Sequence, residues 1–292
     1  MSDCKTIAIC NQKGRYVPVA HAQRRPERKR RIGVGKTTTA VNLGIGLAMN
    51  GKKVLLVDAD PQGDLTTCLG WQDTDSLSIT LATKLAEVMW EEPSDPMSGI
   101  LHHEEKVDVL PANLELSALE MSLVTVMSRE TTLRAYLNQV KDHYDYILVD
   151  CMPSLGMITL NALAAADSVI IPVQAQYLPA KGMTQLLQTV SKVRKHINPS
   201  LKIDGILLTL VDGRTNLARS TVEALRANFG SVMRIYKASI PSAVKAAEVS
   251  SKGKSIFAYE PSSPASKAYT DFTREVLASG RQKERLRSAN AR

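Results

Sequence analysis

Aromatic residues are scarce, at 4% of 292 positions. An interior built with so few must be aliphatic, which suits buried parallel strands beneath covering helices. The four cysteines, Cys4, Cys10, Cys68 and Cys151, show no CxxC spacing. That argues against a zinc module or a disulfide framework and fits a reducing cytoplasm. No apolar run reaches eighteen residues and no signal peptide opens the chain, so neither a membrane span nor export is expected. Internal repeats are absent. The first strand signal begins near Lys5, so no separate N-terminal domain is expected before it.

What is present is ample for one large α/β domain. The length lies near the upper limit for a single core, and 44% of residues are apolar. The net charge of +8 is unevenly placed. Residues 15–32 hold Arg15, Arg24, Arg25, Arg28, Lys29, Arg30 and Arg31 against Glu27, and so carry +6 of it. The rest of the chain is nearly neutral, so the total does not by itself imply a nucleic-acid partner.

Strand and helix signals alternate. Lys5–Cys10 reads as a short buried strand. Thr37–Asn50 places Ala40, Leu43, Leu47 and Ala48 at helical spacing and stops at Gly51. Val54–Val57 is the next strand, completing a βαβ unit. Residues 71–106 read as short helical pieces broken by Pro93, Pro96 and Gly99. Further strands are expected at Val107–Leu110, Tyr146–Val149, Ser168–Pro172 and Ile203–Leu210. Helices are expected at about 114–122, 130–142, 183–197, 217–229 and 265–277, with another around 161–166. The class is α/β: a doubly wound, mostly parallel sheet with helices on both faces. Residues 1–279 are expected as one domain and 280–292 as a basic, disordered tail.

One stretch carries the chemistry. Asn11-Gln12-Lys13-Gly14 begins a phosphate-binding loop, and Gly33-Val34-Gly35-Lys36-Thr37-Thr38 completes it. Without residues 15–32 the ends join as Lys-Gly-Gly-Val-Gly-Lys-Thr-Thr, a full P-loop with an extra lysine in front. Gly14, Gly33, Val34, Gly35 and Thr38 would wrap phosphate with backbone N–H groups, helped by the N-terminal end of the following helix. Lys36 would reach the β- and γ-phosphates and the Thr37 hydroxyl would bind Mg²⁺.

Two acidic strand ends support this reading. Asp58-Ala59-Asp60-Pro61-Gln62 and Asp150-Cys151-Met152-Pro153-Ser154 each follow an apolar strand. Carboxylates there can hold Mg²⁺ or position an attacking water, which leaves Asp58, Asp60 and Asp150 as candidates. The competing reading of such an aspartate is a cap that only satisfies backbone N–H groups.

These motifs together resemble the ParA/Soj/MinD family of deviant Walker A ATPases, most of all the short Soj-type partition ATPases. The resemblance covers nearly the whole chain and includes Tyr146–Gly156, Leu207–Leu217 and Tyr259-Glu260-Pro261. It implies an ATP- and Mg²⁺-dependent ATPase that forms an ATP-sandwich homodimer. It also implies non-specific binding to double-stranded DNA and stimulation by a ParB-like partner. Lys13 would reach the partner's ATP, Asp60 would support water activation, and Asp150 would be the Walker B residue. Arg214 and Lys245 would contact DNA. Met152 departs from the family, which usually has a proline there.

The insertion is the large departure. It separates Lys13 from Lys36, and its charge and bulk are expected to weaken or abolish hydrolysis and to misplace Lys13. It reads as a foreign stretch of translated sequence, as a disordered basic loop that adds DNA affinity, or as a regulatory element. Two other functions compete: a P-loop relic that binds DNA or partner without hydrolysis, and a MinD-like membrane ATPase. The latter would need an amphipathic C-terminal helix, and Gly280–Arg292 has a single Leu to insert.

Overall fold

A computed structural model of the chain describes residues 4–11, 35–174, 180–212, 216–231, 233–242 and 252–290, with backbone alone at 180–181, 216–219 and 281–290. Eight strands form one sheet: β1 (Lys5–Ile9), β2 (Val54–Ala59), β3 (Leu101–His102), β4 (Asp108–Leu110), β5 (Tyr146–Cys151), β6 (Ser168–Gln174), β7 (Lys202–Val211) and β8 (Ile235–Pro241). Their order is β3-β4-β2-β5-β1-β6-β7-β8. All pairings are parallel except β3–β4, an antiparallel pair at one edge. The expected doubly wound α/β architecture is the one observed.

The central strands are apolar on both faces because helices cover both. On one face, Ala8, Leu55, Val57, Ile147, Val149, Val169 and Ile171 pack beneath α3 (Leu81–Trp90), α5 (Thr132–Val140), α6 (Met157–Ala165) and α7 (Ala180–His196). On the other, Ile7, Ile9, Val54, Leu56, Leu148 and Ile170 pack beneath α1 (Lys36–Met49) and the last helix, α9 (Pro264–Asn290). Helices α4 (Glu115–Leu123) and α8 (Asn216–Phe229) add to the first face and α2 (Asp64–Cys68) to the second.

Helix α1 is buried on every side from Thr39 to Leu47, as expected of a helix apolar all round. Its glycines make that possible. A Cβ on Gly44 would lie 2.6 Å from Leu56 of β2, and one on Gly46 would lie 2.4 Å from Thr273 Oγ1 of α9. One glycine lets the sheet approach and the other lets α9 approach.

Helix α3 is one of the short helical pieces expected within 71–106, whereas strand β8 carries a weak sequence signal and was not expected. β8 alternates buried and exposed residues at the sheet edge. Its outward N–H groups at Lys237 and Ala238 donate to Glu275 of α9, at 3.1 and 2.7 Å, so the edge is closed against further pairing. The tail also differs from expectation: α9 continues through Gly280 to Asn290. Residues 281–290 are nearly all good helix formers, and a helix already nucleated and packed extends at little cost.

The Gly46 contact can be tested by urea unfolding. Gly46→Ala is expected to lose about 1–3 kcal/mol, the usual penalty for overpacking. Adding Thr273→Ala should recover part of that loss, more than additivity allows. A Gly46→Ala chain as stable as the parent would rule out the close approach.

Candidate nucleotide site

The carboxyl ends of β1, β2 and β5 meet at the middle of the sheet, where the strand order reverses, the usual ligand crevice of such folds. Two of these ends carry aspartates in register: Asp58 on β2 lies beside Asp150 on β5. The second half of the P-loop delivers α1 to the same place. Gly35 precedes the helix at φ 78°, a left-handed conformation that glycine takes without strain. Its carbonyl accepts from Thr39 N at 2.9 Å, which closes the first turn.

Thr37 Oγ1 donates to Asp150 Oδ2 at 2.6 Å. The other oxygen, Asp150 Oδ1, is buried with no hydrogen-bond partner among the described residues. Burial pushes the Asp150 carboxyl up to about 7, with Lys36 and the Thr37 bond pulling the other way. Asp60 and Asp64 add to the rise. Lys36, Thr37, Asp60 and Asp150 are thus brought into one electrostatic cluster. Asp64, in the first turn of α2, joins them and was missed. Its position just past Asp-Pro-Gln-Gly was the available signal. Its carboxyl is also raised, by desolvation and then Asp60, against Lys36.

The two aspartates after β2 divide the competing readings. Asp58 is fully buried and accepts from Thr66 N at 2.9 Å, Thr66 Oγ1 at 2.7 Å and Asp60 N at 3.2 Å. It is a structural clamp that holds the turn and α2 against the sheet. Burial, and then Asp150, push it up to about 8. Asp60 is only partly buried and accepts from Gln62 N at 3.1 Å, which leaves it at the crevice.

Other supports were not legible in sequence. Asn11 is buried and donates from Nδ2 to the Pro172 carbonyl of β6, which ties the start of the loop to the sheet. Beside Gly35, an apolar cavity is lined by Thr38, Thr209, Leu210, Ile240, Pro241 and Tyr269. Leu210 stands at φ 51°, rare for a leucine, where the pairing of β7 with β8 shifts register. Lys13, Gly14, Gly33, Val34, Arg214, Lys245 and the insertion 15–32 lie outside the described residues.

A family model described as an AAA domain matches residues 28–203. It takes up the chain inside the insertion, past β1 and the front of the loop. The sporulation initiation inhibitor protein Soj of Bacillus subtilis is 43% identical over 278 residues, which span 94% of this chain and 99% of Soj. This chain belongs to the Soj/ParA family of partition ATPases. The chromosome partitioning protein ParA of Caulobacter vibrioides is 37% identical over 289 residues, 98% of this chain and 97% of ParA. Among solved structures, cobyrinic acid a,c-diamide synthase from Mycobacterium smegmatis with bound ATP analog and magnesium aligns with TM-score 0.77 and 32% identity, over 94% of each chain. The fold of that synthase is therefore shared over 94% of this chain. Among the described residues, no helix is long and apolar enough to cross a membrane.

The raised carboxyls set a pH dependence. Below about pH 4 the Asp150 carboxyl is protonated in both folded and unfolded chains. Between pH 4 and 7 only the unfolded chain releases that proton, so stability falls as pH rises through this window. Asp150→Asn removes the charge, and without nucleotide it is expected to be more stable than the parent at pH 8. The gain, on the order of a few kcal/mol, should shrink toward pH 4. Urea midpoints across this range check it, and a gain that grows on acidification would contradict the buried carboxylate.

Proposed function

We propose that this chain is an ATP-dependent chromosome or plasmid partition protein, cytoplasmic and associated with the nucleoid. Its ATP-sandwich dimer binds double-stranded DNA without sequence preference and hydrolyses ATP when a ParB-like partner stimulates it. The observation that carries this reading is the Thr37–Asp150 bond beside an Asp150 Oδ1 with no partner among the described residues. A buried carboxylate oxygen without a donor suits a divalent cation, and Mg²⁺ commonly takes one or two carboxylates plus phosphate oxygens and water. The residues fit the group. Thr37 and Asp150 would hold Mg²⁺ with support from Asp60, and the cation supplies charge neutralisation on the phosphates.

The chain's own residues do the rest. Lys36 places a positive charge where α1 begins, and the first-turn N–H groups of α1 point the same way. The apolar cavity lined by Thr209, Ile240 and Tyr269 suits the base. Asp60, at the rim, would hold the attacking water. Lys13 would meet the partner's nucleotide, so its charge is satisfied only in the dimer. Arg214 and Lys245 would meet DNA phosphates, the sequence-independent part of any such contact.

The insertion favours a second reading, a hydrolysis-deficient P-loop protein that binds only DNA or partner. It interrupts the loop between Lys13 and Lys36, and six net positive charges there oppose a tight sandwich. ATPase rate and ATP-induced dimerisation should both rise in a chain lacking Arg15–Ile32. Equal rates and equal dimerisation would remove any inhibitory role for the insertion. In the chain lacking 15–32, Thr37→Ala should lose at least about 10-fold in hydrolysis, because the cation loses a partner. A rate left unchanged by Thr37→Ala would sink the assignment of this site.

DNA binding has its own measurement. Replacing Arg214 and Lys245 with Ala should weaken binding equally across sequences and flatten the salt dependence by about one power of salt concentration per lost contact. An unchanged salt slope would place the DNA surface elsewhere.

A further inference from the structure

Cys10 and Cys151 are 141 positions apart, yet Cys10 Sγ donates to Cys151 Sγ at 2.9 Å. Both are free thiols and both are buried at 1% exposure. The register explains the meeting. Ile9 pairs with Asp150, so the next residues, Cys10 and Cys151, lie side by side across adjacent parallel strands. Their positions matter more than their distance. Cys10 is the last residue before the Asn11 that opens the P-loop, and Cys151 directly follows Asp150. The thiols lie in the core on the α3–α7 face, and Asp150 lies on the opposite face of the sheet.

We infer that Cys10 and Cys151 form a modification site: a reversible disulfide that staples the strand entering the P-loop to the strand carrying Asp150. The geometry allows it. Neighbouring parallel strands are spaced at about 4.8 Å, within the roughly 4.4–6.8 Å that disulfide Cα atoms span. Closing the contact to a bond needs movement of about 1 Å. The oxidant is a small peroxide. One thiol, as thiolate, attacks a peroxide oxygen to give a sulfenic acid and release water. The sulfur of the second then displaces the hydroxyl as water, forming the S–S bond. Two thiols are oxidised and one peroxide is reduced to two waters. A dithiol reductant reverses the bond by exchange. Burial makes the reaction slow, because the oxidant must enter through local opening.

Drawing the sulfurs together by about 1 Å ties the two strand ends of the nucleotide site to one fixed geometry, and small displacements in a site can cost large factors. The oxidised chain is therefore expected to bind Mg²⁺ and ATP at least about 3-fold more weakly. That part rests on the ATPase reading; the bond itself does not.

The test treats the full-length protein with hydrogen peroxide, blocks remaining thiols with iodoacetamide and maps peptides by mass spectrometry without reduction. A Cys10–Cys151 cross-linked peptide, two hydrogens lighter than its reduced parts and lost on adding dithiothreitol, is the expected result. A C4S/C68S chain should form the same bond, and adding C10S should abolish it. Absence of that peptide after the other two cysteines are fully oxidised would overturn the inference. Fluorescent ATP-analog binding is then compared before oxidation, after it, and after re-reduction. A cross-link that leaves affinity unchanged would refute the coupling to the site. A reduced chain that fails to bind nucleotide would count against the ATPase reading, and the cross-link result would still decide the modification site.

Discussion

The hydrogen bond from Thr37 to Asp150 joins the two halves of the site, and much of the fold serves to make it. It connects the first turn of α1 to the carboxyl end of β5, elements that begin more than a hundred residues apart. Each partner is held from elsewhere. β5 is fixed between β1 and β2, and α1 is fixed by burial between the sheet and α9. Neither could drift without opening a well-packed aliphatic interior, where small changes in volume are felt. The carboxylate it orders is costly to keep. Asp150 sits buried beside Asp58, and among the described residues the Lys36 charge and the Thr37 bond offset the burial. A cation and phosphates would resolve that imbalance, so the resting site is built for a charged ligand.

Asp58 shows the opposite solution in the adjacent register position. Its oxygens are filled by Thr66 and by the Asp60 N–H, so nothing remains for a ligand. The clamp instead shapes the turn that presents Asp60 and Asp64. Gly63 belongs to this turn at φ 63°, and a Cβ there would meet the Ala112 carbonyl at 2.9 Å. Two aspartates two residues apart therefore do different work. One shapes the turn from inside the core, and the other waits at the rim.

Residues 15–32 interrupt the loop motif between two elements that the rest of the fold holds in place. β1 before it is paired on both sides, and α1 after it is buried on nearly every side. Both elements have their partners without the loop, so the architecture is assembled around the break. Loop-closure entropy grows slowly with length, which makes eighteen extra residues a small burden on stability. The catalytic requirement is stricter, because the loop's two halves must meet around one phosphate group.

The amino-acid sequence by itself determined the class and the kind of site. Alternating apolar strands and amphipathic helices announced a doubly wound sheet. The split Gly-Lys-Thr-Thr motif and two acidic strand ends announced phosphate chemistry, because these signals are local and sit within a few residues. Weak edges escaped it: β8 alternates at the sheet border and is closed by Glu275, and helix-forming residues carry α9 on past Gly280. Local pattern leaves Asp58 and Asp60 alike, and only the resemblance pointed to Asp60. The tertiary structure supplies the physical difference, because burial and the Thr66 bonds occupy Asp58 while Asp60 stays at the crevice. It also decided that two of four scattered cysteines touch, since that depends on β1 and β5 being neighbours in register. Strand order is set by packing across the whole chain, and local pattern carries no record of it.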